Sequence, residues 1–496
     1  MSHLWDEIST GDARPTNVVR SARALHEAGM GNEQTISVAG LGGKKLKNCE
    51  RDLHRRLHSL RGSRLGVVYV PLTLEDPLEG PTEVAVPAIC PYELFAELWK
   101  ADRCNRSVFN LAMYGTEAPD TVEQIWEALD RSSQTNIVNE DLELRAIRRR
   151  IFPTVWHEDG GEMFKGQSFL IYTWSSKLAH CIDIGDSKFF AIMIPEDEYV
   201  EGVTDVEIHQ WQDWNIEVML SGVHPTHDHL KNPMTGWRAR LAGEPLAGGF
   251  RGAFTSWLGD GKEEARTHRL PRKWNMNFLC KKCLGCRHMT CGNAYNFLPE
   301  AEWKNMIVTH RSYLLGCQRN PGMRSPWTST KSWEYRRNRD DLLHQCWLGW
   351  GKDVGGQLLK EAGEWEVDRA ADAGDSIDIN DGLHRVWVQF CKHNLELGKP
   401  CGHSGFTAKT ISQDSKSDIC TLETKMKAAK AKQVTVFVCN WAVDIVAKGK
   451  DVSEHACRRA TMAWNLLKFL QVTDEGGIIL SEEEAATAQR AGFNVN

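Results

Sequence analysis

Leu46, Leu53, Leu57 and Leu60 recur at helical spacing with arginines opposite, which predicts an amphipathic basic helix over 46–60. "RLGVVYVPL" (64–72) reads as a strand, and 90–130 ("CPYELFAELWKADRC", "TVEQIWEALDRS") as helices. From about 150 the texture changes. "IFPTVWHEDGG" is a short apolar-aromatic run ending in His157, Glu158, Asp159 and two glycines. "SFLIYTWSS" (168–176) predicts a second strand and "KFFAIMIP" (188–195) a third. "VEIHQWQDWNIEVMLSG" (206–222) has helical periodicity and closes on Gly222. "GGFRGAFTSWLGDGKEEARTHRL" predicts a strand that ends at Asp260 and turns into a helix. A loop rich in Arg, Pro and Trp (311–333) precedes an amphipathic helix, "DDLLHQCWLGWGKDVGGQLLKEA" (340–362). "AADAGDSIDINDG" (370–382) reads as an acidic linker, and the last hundred residues as mainly helical, most clearly "SEHACRRATMAWNLLKFLQV".

From 150 to 360 the order is three strands, a helix, a strand ending in Asp, an insertion and a helix. That order suits an α/β core, and it is also the order of a ribonuclease-H-like fold. The expected organisation has three parts. Residues 1–145 form a mixed, mainly helical N-terminal region carrying the basic helix. Residues 146–362 form a ribonuclease-H-like core with a Cys-rich insertion at 278–335. Residues 363–496 form a mainly helical C-terminal region.

At 496 residues the chain is too long for one ordinary core. Its 41% hydrophobic and 25% charged content is that of a soluble globular protein. No run of eighteen apolar residues occurs, so no membrane span is expected. The start, "MSHLWDEISTGDARP", lacks the basic flank and apolar stretch of a secretory signal. A nuclear or cytoplasmic location follows, where clustered cysteines more often bind metal than pair. The chain stops at "GFNVN" without a strong terminal signal, as a piece of a longer protein would. Net charge is -6, yet 44–64 holds eight Lys/Arg against two acids, and Arg336, Arg337 and Arg339 cluster ahead of two aspartates. Local basic surfaces of this kind bind phosphate backbones, although a solvated helix face gives the same pattern.

"CKKCLGCRHMTC" (280–291) concentrates Cys280, Cys283, Cys286, His288 and Cys291. Cys-x-x-Cys wraps a metal from a tight turn, and structural zinc needs four ligands. Cys280 and Cys283 with two of Cys286, His288 and Cys291 fit a zinc knuckle; His268 or His310 are more distant donors. Iron–sulfur ligation lacks its usual Cys-Pro, a thioredoxin-type pair would open a helix after a strand, and unligated buried thiols are the plainer reading. "HPTHDH" (224–229) reads as an exposed loop, "CGHSGF" (401–406) offers Cys401 and His403 without obvious partners, and "GLGGKK" (40–45) lacks the full phosphate-loop pattern.

Asp159 and Asp260 each close a predicted strand beside glycine. Carboxylates so placed can hold two Mg2+ ions about 3.5–4 Å apart for phosphoryl transfer, or merely cap the next element. Three segments in order resemble the core of CACTA- or Plavaka-type DDE transposases and the transposon-derived proteins related to them. They are "HEDGG", "GDGKEEARTHRL…CKKC" and "DLLHQCWLGWGKD". The likeness covers roughly 150–360. It departs from the family pattern at Leu343, where Met is usual, and in the Gly-Lys after Asp260. The resemblance implies metal-dependent DNA strand cleavage and transfer, with Mg2+ or Mn2+ held by Asp159, Asp260 and Asp341; Asp353 and Glu361 are rivals for the third place. It also implies Zn2+ at the cysteines and DNA as partner. The alternative is a non-catalytic nucleic-acid- or protein-binding module derived from a transposase.

Overall fold

The computed structural model describes residues 15–29, 39, 66–101, 107–131, 136–164, 166–179, 187–269, 282–286, 300–331, 333–340, 343–399, 402–413, 420–423, 425–476 and 479–495. The expected basic helix at 46–60 and "GLGGKK" lie outside them. The chain divides into two compact units. One comprises residues 1–68 and 89–110 and includes helices α1 (Pro15–Glu27) and α2 (Pro91–Ala101), with the start of α3 (Ser107–Tyr114). Its apolar contacts include Phe109 against Phe95 and Trp99, with ring centroids 5.7 and 5.1 Å apart.

The second unit, residues 69–88 and 111–496, is mixed α/β. Seven strands form one sheet in the order β1-β2-β5-β4-β3-β6-β7. They are β1 (Val67–Asp76), β2 (Gly80–Ile89), β3 (Ile151–Phe164), β4 (Gln167–Ser176), β5 (Phe189–Pro195), β6 (Arg251–Gly259) and β7 (Asn338–Asp340). β2 was not among the expected strands; Pro81 and Pro87 disguise it, since proline donates nothing to a ladder. β3, β4 and β5 run antiparallel to one another in turn, whereas β6 runs parallel to β3 and β7 parallel to β6. Parallel strands need a crossover. α5 (Thr204–Ser221) supplies it between β5 and β6 and stops at Gly222, which takes the left-handed φ of 71° at its C-cap.

Alternation places the core. In β4 Leu170, Tyr172, Trp174 and Ser176 are buried at every second position. β6 is buried almost throughout, as a central strand covered on both faces must be. A bulge shifts the β3–β6 register between Thr154 and Val155. There the Thr154 hydroxyl donates to Ala253 O at 3.0 Å and the Thr255 hydroxyl to Thr154 O at 2.9 Å. β3 does not end at "HEDGG": it continues through Asp159 to Phe164, because β4 pairs with it down to Phe164↔Gln167.

Helix α4 (Thr121–Arg131) precedes β3 and α7 (His310–Arg319) precedes β7, and the C-terminal part is helical: α8 (Gly351–Asp372), α9 (Ile379–Glu396), α10 (Ala428–Ala447), α11 (Glu454–Glu475) and α12 (Glu482–Val495). A hairpin of β8 (Ile411–Gln413) and β9 (Cys420–Leu422) joins them. Leu359, Leu383, Phe390, Val434, Val438 and Leu466 fill their common core. The expected helix at 340–362 begins instead as a π-helix over Leu343–Trp350, broken at Gly349, and becomes α-helical from Gly351. The boundary drawn at 362/363 thus falls inside α8. The "linker" at 370–382 shrinks to the turn 373–378, because Asp378 and Asp381 form a reciprocal capping box that starts α9 at once. Among the described residues no helix is long and apolar enough to cross a membrane.

α8 packs closely on β9 because Gly356 has no side chain. A Cβ there would sit 2.6 Å from Leu422 N and collide with the Thr421 backbone. Gly356→Ala should therefore destabilise the helical part by about 1–3 kcal/mol, the usual cost of overpacking. Urea unfolding followed by circular dichroism measures it; an unchanged midpoint would refute the close packing.

Candidate functional site

The parallel register of β3 and β6 ends on Glu158 opposite Gly259. One residue further along each strand stand Asp159 and Asp260. Strands side by side are about 4.8 Å apart, so acids remote in sequence stand on neighbouring segments of chain. β7 extends the rim: its last residue, Asp340, is in register with Gly259. Asp341, the expected third acid, lies outside the described residues. Its rivals are placed elsewhere. Asp353 is exposed in the first turn of α8. Glu361 accepts from Arg459 Nη1 of α11 at 2.6 Å and from Gln357 at 3.1 Å.

Asp260 caps the short helix α6 (Gly261–Thr267). Its Oδ1 accepts from the amides of Lys262 and Glu263, each at 2.8 Å. "DGKE" is a capping signal written in the sequence, and it brings Glu263 back onto the strand ends. Glu263 is 1% exposed. A Cβ on Gly160 would lie 3.0 Å from its Oε1, so glycine at 160 makes room for this carboxyl. Its Oε2 is buried and has no hydrogen-bond partner among the described residues. Burial first, and then the adjoining Asp260 carboxylate, push the Glu263 carboxyl up to about 8.

Glu158 faces the opposite way from Asp159 by strand alternation, and it too is 1% exposed. Arg266 Nη2 reaches its Oε1 at 2.6 Å, Thr267 donates to Oε2 at 2.6 Å and Tyr172 donates to Oε1 at 3.2 Å. Burial raises this carboxyl above the usual range, against the pull of Arg266 and the hydroxyls. Arg266 also approaches Glu263 Oε1 at 3.4 Å, and Lys262 contacts Glu196. Glu158, Glu263 and Arg266 escaped the sequence reading. The signal for Glu263 and Arg266 was the i+3 and i+6 spacing after Asp260, which only a helix start gives meaning; nothing local marks Glu158 as buried.

Between α6 and β7 the chain makes the Cys-rich excursion. Of its expected ligands Cys283 and Cys286 are described, and both are buried; Cys280, His288 and Cys291 lie outside the described residues. The backbone around Cys283 pairs with 306–308: Leu284 N donates to Met306 O at 2.9 Å and Val308 N to Lys282 O at 2.8 Å. The more distant donors have structural posts. His268, fully buried, meets Ser325 Oγ through Nδ1 at 2.8 Å and stacks on Trp333. His310 Nδ1 accepts from Tyr335 N at 3.2 Å. Further along, the excursion docks on α5, where His209 Nε2 lies 3.2 Å from Ser329 Oγ and burial pushes its imidazole down to about 3. Cys401 is outside the described residues, and the half-buried His403 ring packs on Phe406. In "HPTHDH" His224 is buried rather than exposed, and His229 packs on Trp214.

Among the described residues no group of three or more His, Cys, Asp or Glu side chains is arranged to hold a metal ion. The expected basic patch is also thinner than its sequence: Arg337 is fully buried and donates to Thr255 O at 3.2 Å, because it threads the sheet beside β6. No family model, curated protein or solved structure matches the chain.

The raised Glu263 carboxyl sets a sign for pH dependence. Folding favours its protonated form, so its stabilising contribution is complete below the ordinary carboxyl value of 4.5 and is lost as pH rises through about 8. Stability in chelator should fall between about pH 5 and about pH 8, and Glu263→Gln should flatten that slope. Urea midpoints across the range give the measurement; equal slopes in both proteins would contradict the burial of this acid.

Proposed function

We propose that the second unit is built on a ribonuclease-H-like core and processes nucleic-acid strands in the manner of a DDE transposase. The carrying observation is the sheet: three antiparallel strands, then two parallel ones added beside the first, with Asp159 within β3 and Asp260 after β6, each one position beyond the last β3–β6 register pair. The "HEDGG", "GDGKEEARTHRL…CKKC" and "DLLHQCWLGWGKD" segments support the same reading from sequence.

The donor set suits a hard divalent cation. Asp159 and Asp260 offer carboxylate oxygens, and Asp341, one residue beyond the last register position of β7, is the proposed third ligand. The buried, unpartnered Glu263 Oε2 beside Asp260 adds an acceptor at the same rim. Mg2+ or Mn2+ bound there would activate the attacking oxygen and stabilise the leaving one. The chain's own part is positional. The β3–β6 register fixes the first two carboxylates, and the α6 cap holds Asp260 at a set angle to the strand end. Cys280 and Cys283, with two of Cys286, His288 and Cys291, would supply the donors for a structural zinc; Cys283 and Cys286 are both buried.

The purified chain should nick supercoiled plasmid with Mg2+ or Mn2+ and not in chelator. Asp159→Asn and Asp260→Asn should each slow nicking at least about 100-fold, more than loss of an outer-shell partner costs a metal site. Nicking at the original rate by Asp159→Asn would refute catalysis at this rim. Salt-dependent DNA binding without nicking would favour the non-catalytic alternative. Elemental analysis should find about one zinc per chain, lost in Cys283→Ser/Cys286→Ser; an unmodified zinc content in that variant would refute the knuckle.

A further inference from the structure

A polar cavity lies among α8, α9 and α10, with a volume of about 200 Å3. Its residues differ from those of an ordinary gap between helices. Trp365, Phe437 and Trp441 give it aromatic walls. Glu366 lines it with a carboxylate that is 3% exposed overall. Glu366 Oε1 is engaged: it accepts from Gln389 Nε2 at 2.9 Å, and Arg369 Nη1 stands 3.5 Å away. Its Oε2 has no partner among the described residues. Oε2 is not among the buried unpartnered atoms, so it is the carboxylate edge open to the cavity, where a donor can complete it.

The rim has the opposite sign. Arg369 and Lys448 line the cavity with Lys450. Lys448 is balanced by Asp444 at 2.6 Å, whereas exposed Lys450 has no carboxylate within ion-pair distance among the described residues. A cationic ligand would suit the indoles but meet this positive mouth. A purely apolar ligand would bury Glu366 Oε2 without a donor. An aromatic heterocycle with N–H donors on its edge and an anionic tail satisfies all three features: its face stacks on the indoles, an edge N–H donates to Glu366 Oε2, and the tail reaches Lys450 and Arg369.

We propose that this cavity binds a purine nucleoside phosphate, with the base inside and the phosphates at the Lys450 rim. The volume, below the roughly 300–1,000 Å3 of pockets for drug-sized ligands, fits the base and leaves sugar and phosphates at the mouth. The site is independent of the acids on β3 and β6, so it stands or falls separately from the proposed strand cleavage.

Isothermal titration of the full chain with GTP, ATP and inorganic tripolyphosphate tests it. One of the two nucleotides should bind with a dissociation constant below about 1 mM, and tripolyphosphate at least about tenfold more weakly. Glu366→Gln, which keeps an acceptor for Gln389, and Lys450→Glu, on the surface, should each weaken nucleotide binding about tenfold or more. Thermal melts check that both variants stay folded. Absence of nucleotide binding overturns the proposal. So does tripolyphosphate binding as well as the nucleotide, or affinity indifferent to both substitutions.

Discussion

One buried ion pair orders the end of the sheet at the last β3–β6 register pair. Glu158 sits in β3 with almost no contact with water, and Arg266 of α6 reaches it at 2.6 Å while Thr267 and Tyr172 complete its shell. A charge in that position costs several kcal/mol unless its partners are fixed. The pair therefore ties three segments distant in sequence: β3, β4 through Tyr172, and the helix that follows β6. With α6 held against β3, its cap residue Asp260 is fixed at the end of β6.

The same fixation explains why the rim is crowded with acids. Asp159 and Asp260 lie one step beyond the last β3–β6 register pair, and the capping geometry turns Glu263 back toward Gly160. Burial first, and then the adjoining Asp260, hold the proton on the Glu263 carboxyl to about 8. A cation at the rim would relieve the same stress, which is why the arrangement supports a metal-dependent reading. The Cys-bearing excursion between α6 and β7 is anchored separately, through His268 to Ser325 and through His209 to Ser329. The end of β7, where the third acid is sought, is thus reached by a chain pinned at both His contacts.

The strands and helices around this rim were legible because each carries its own periodicity. β4 reads as alternation, α5 as a helix closing on Gly222, and β6 as an apolar run ending in Asp260, and all three stand where the pattern put them. Elements whose reason is tertiary were read poorly. Pro81 and Pro87 hide β2, and the acids and glycine of 370–382 imitate a linker although they cap a helix packed on its neighbour. Arg337 looks like surface charge and is buried, since its partner is a backbone carbonyl of β6 that no local pattern announces.

By itself the sequence determined the α/β class, the order of its elements, the capping signal at Asp260 and the cysteine spacing, because each depends on residues within a few positions of one another. Tertiary structure alone decided that Asp159 lies within a long strand, that the segment carrying Asp260 follows the strand next to it, and that Glu158 and Glu263 are buried around Arg266. Those facts depend on strand register and on which faces are shielded from water. Both arise from contacts across about a hundred residues of chain, which the local order of side chains does not encode.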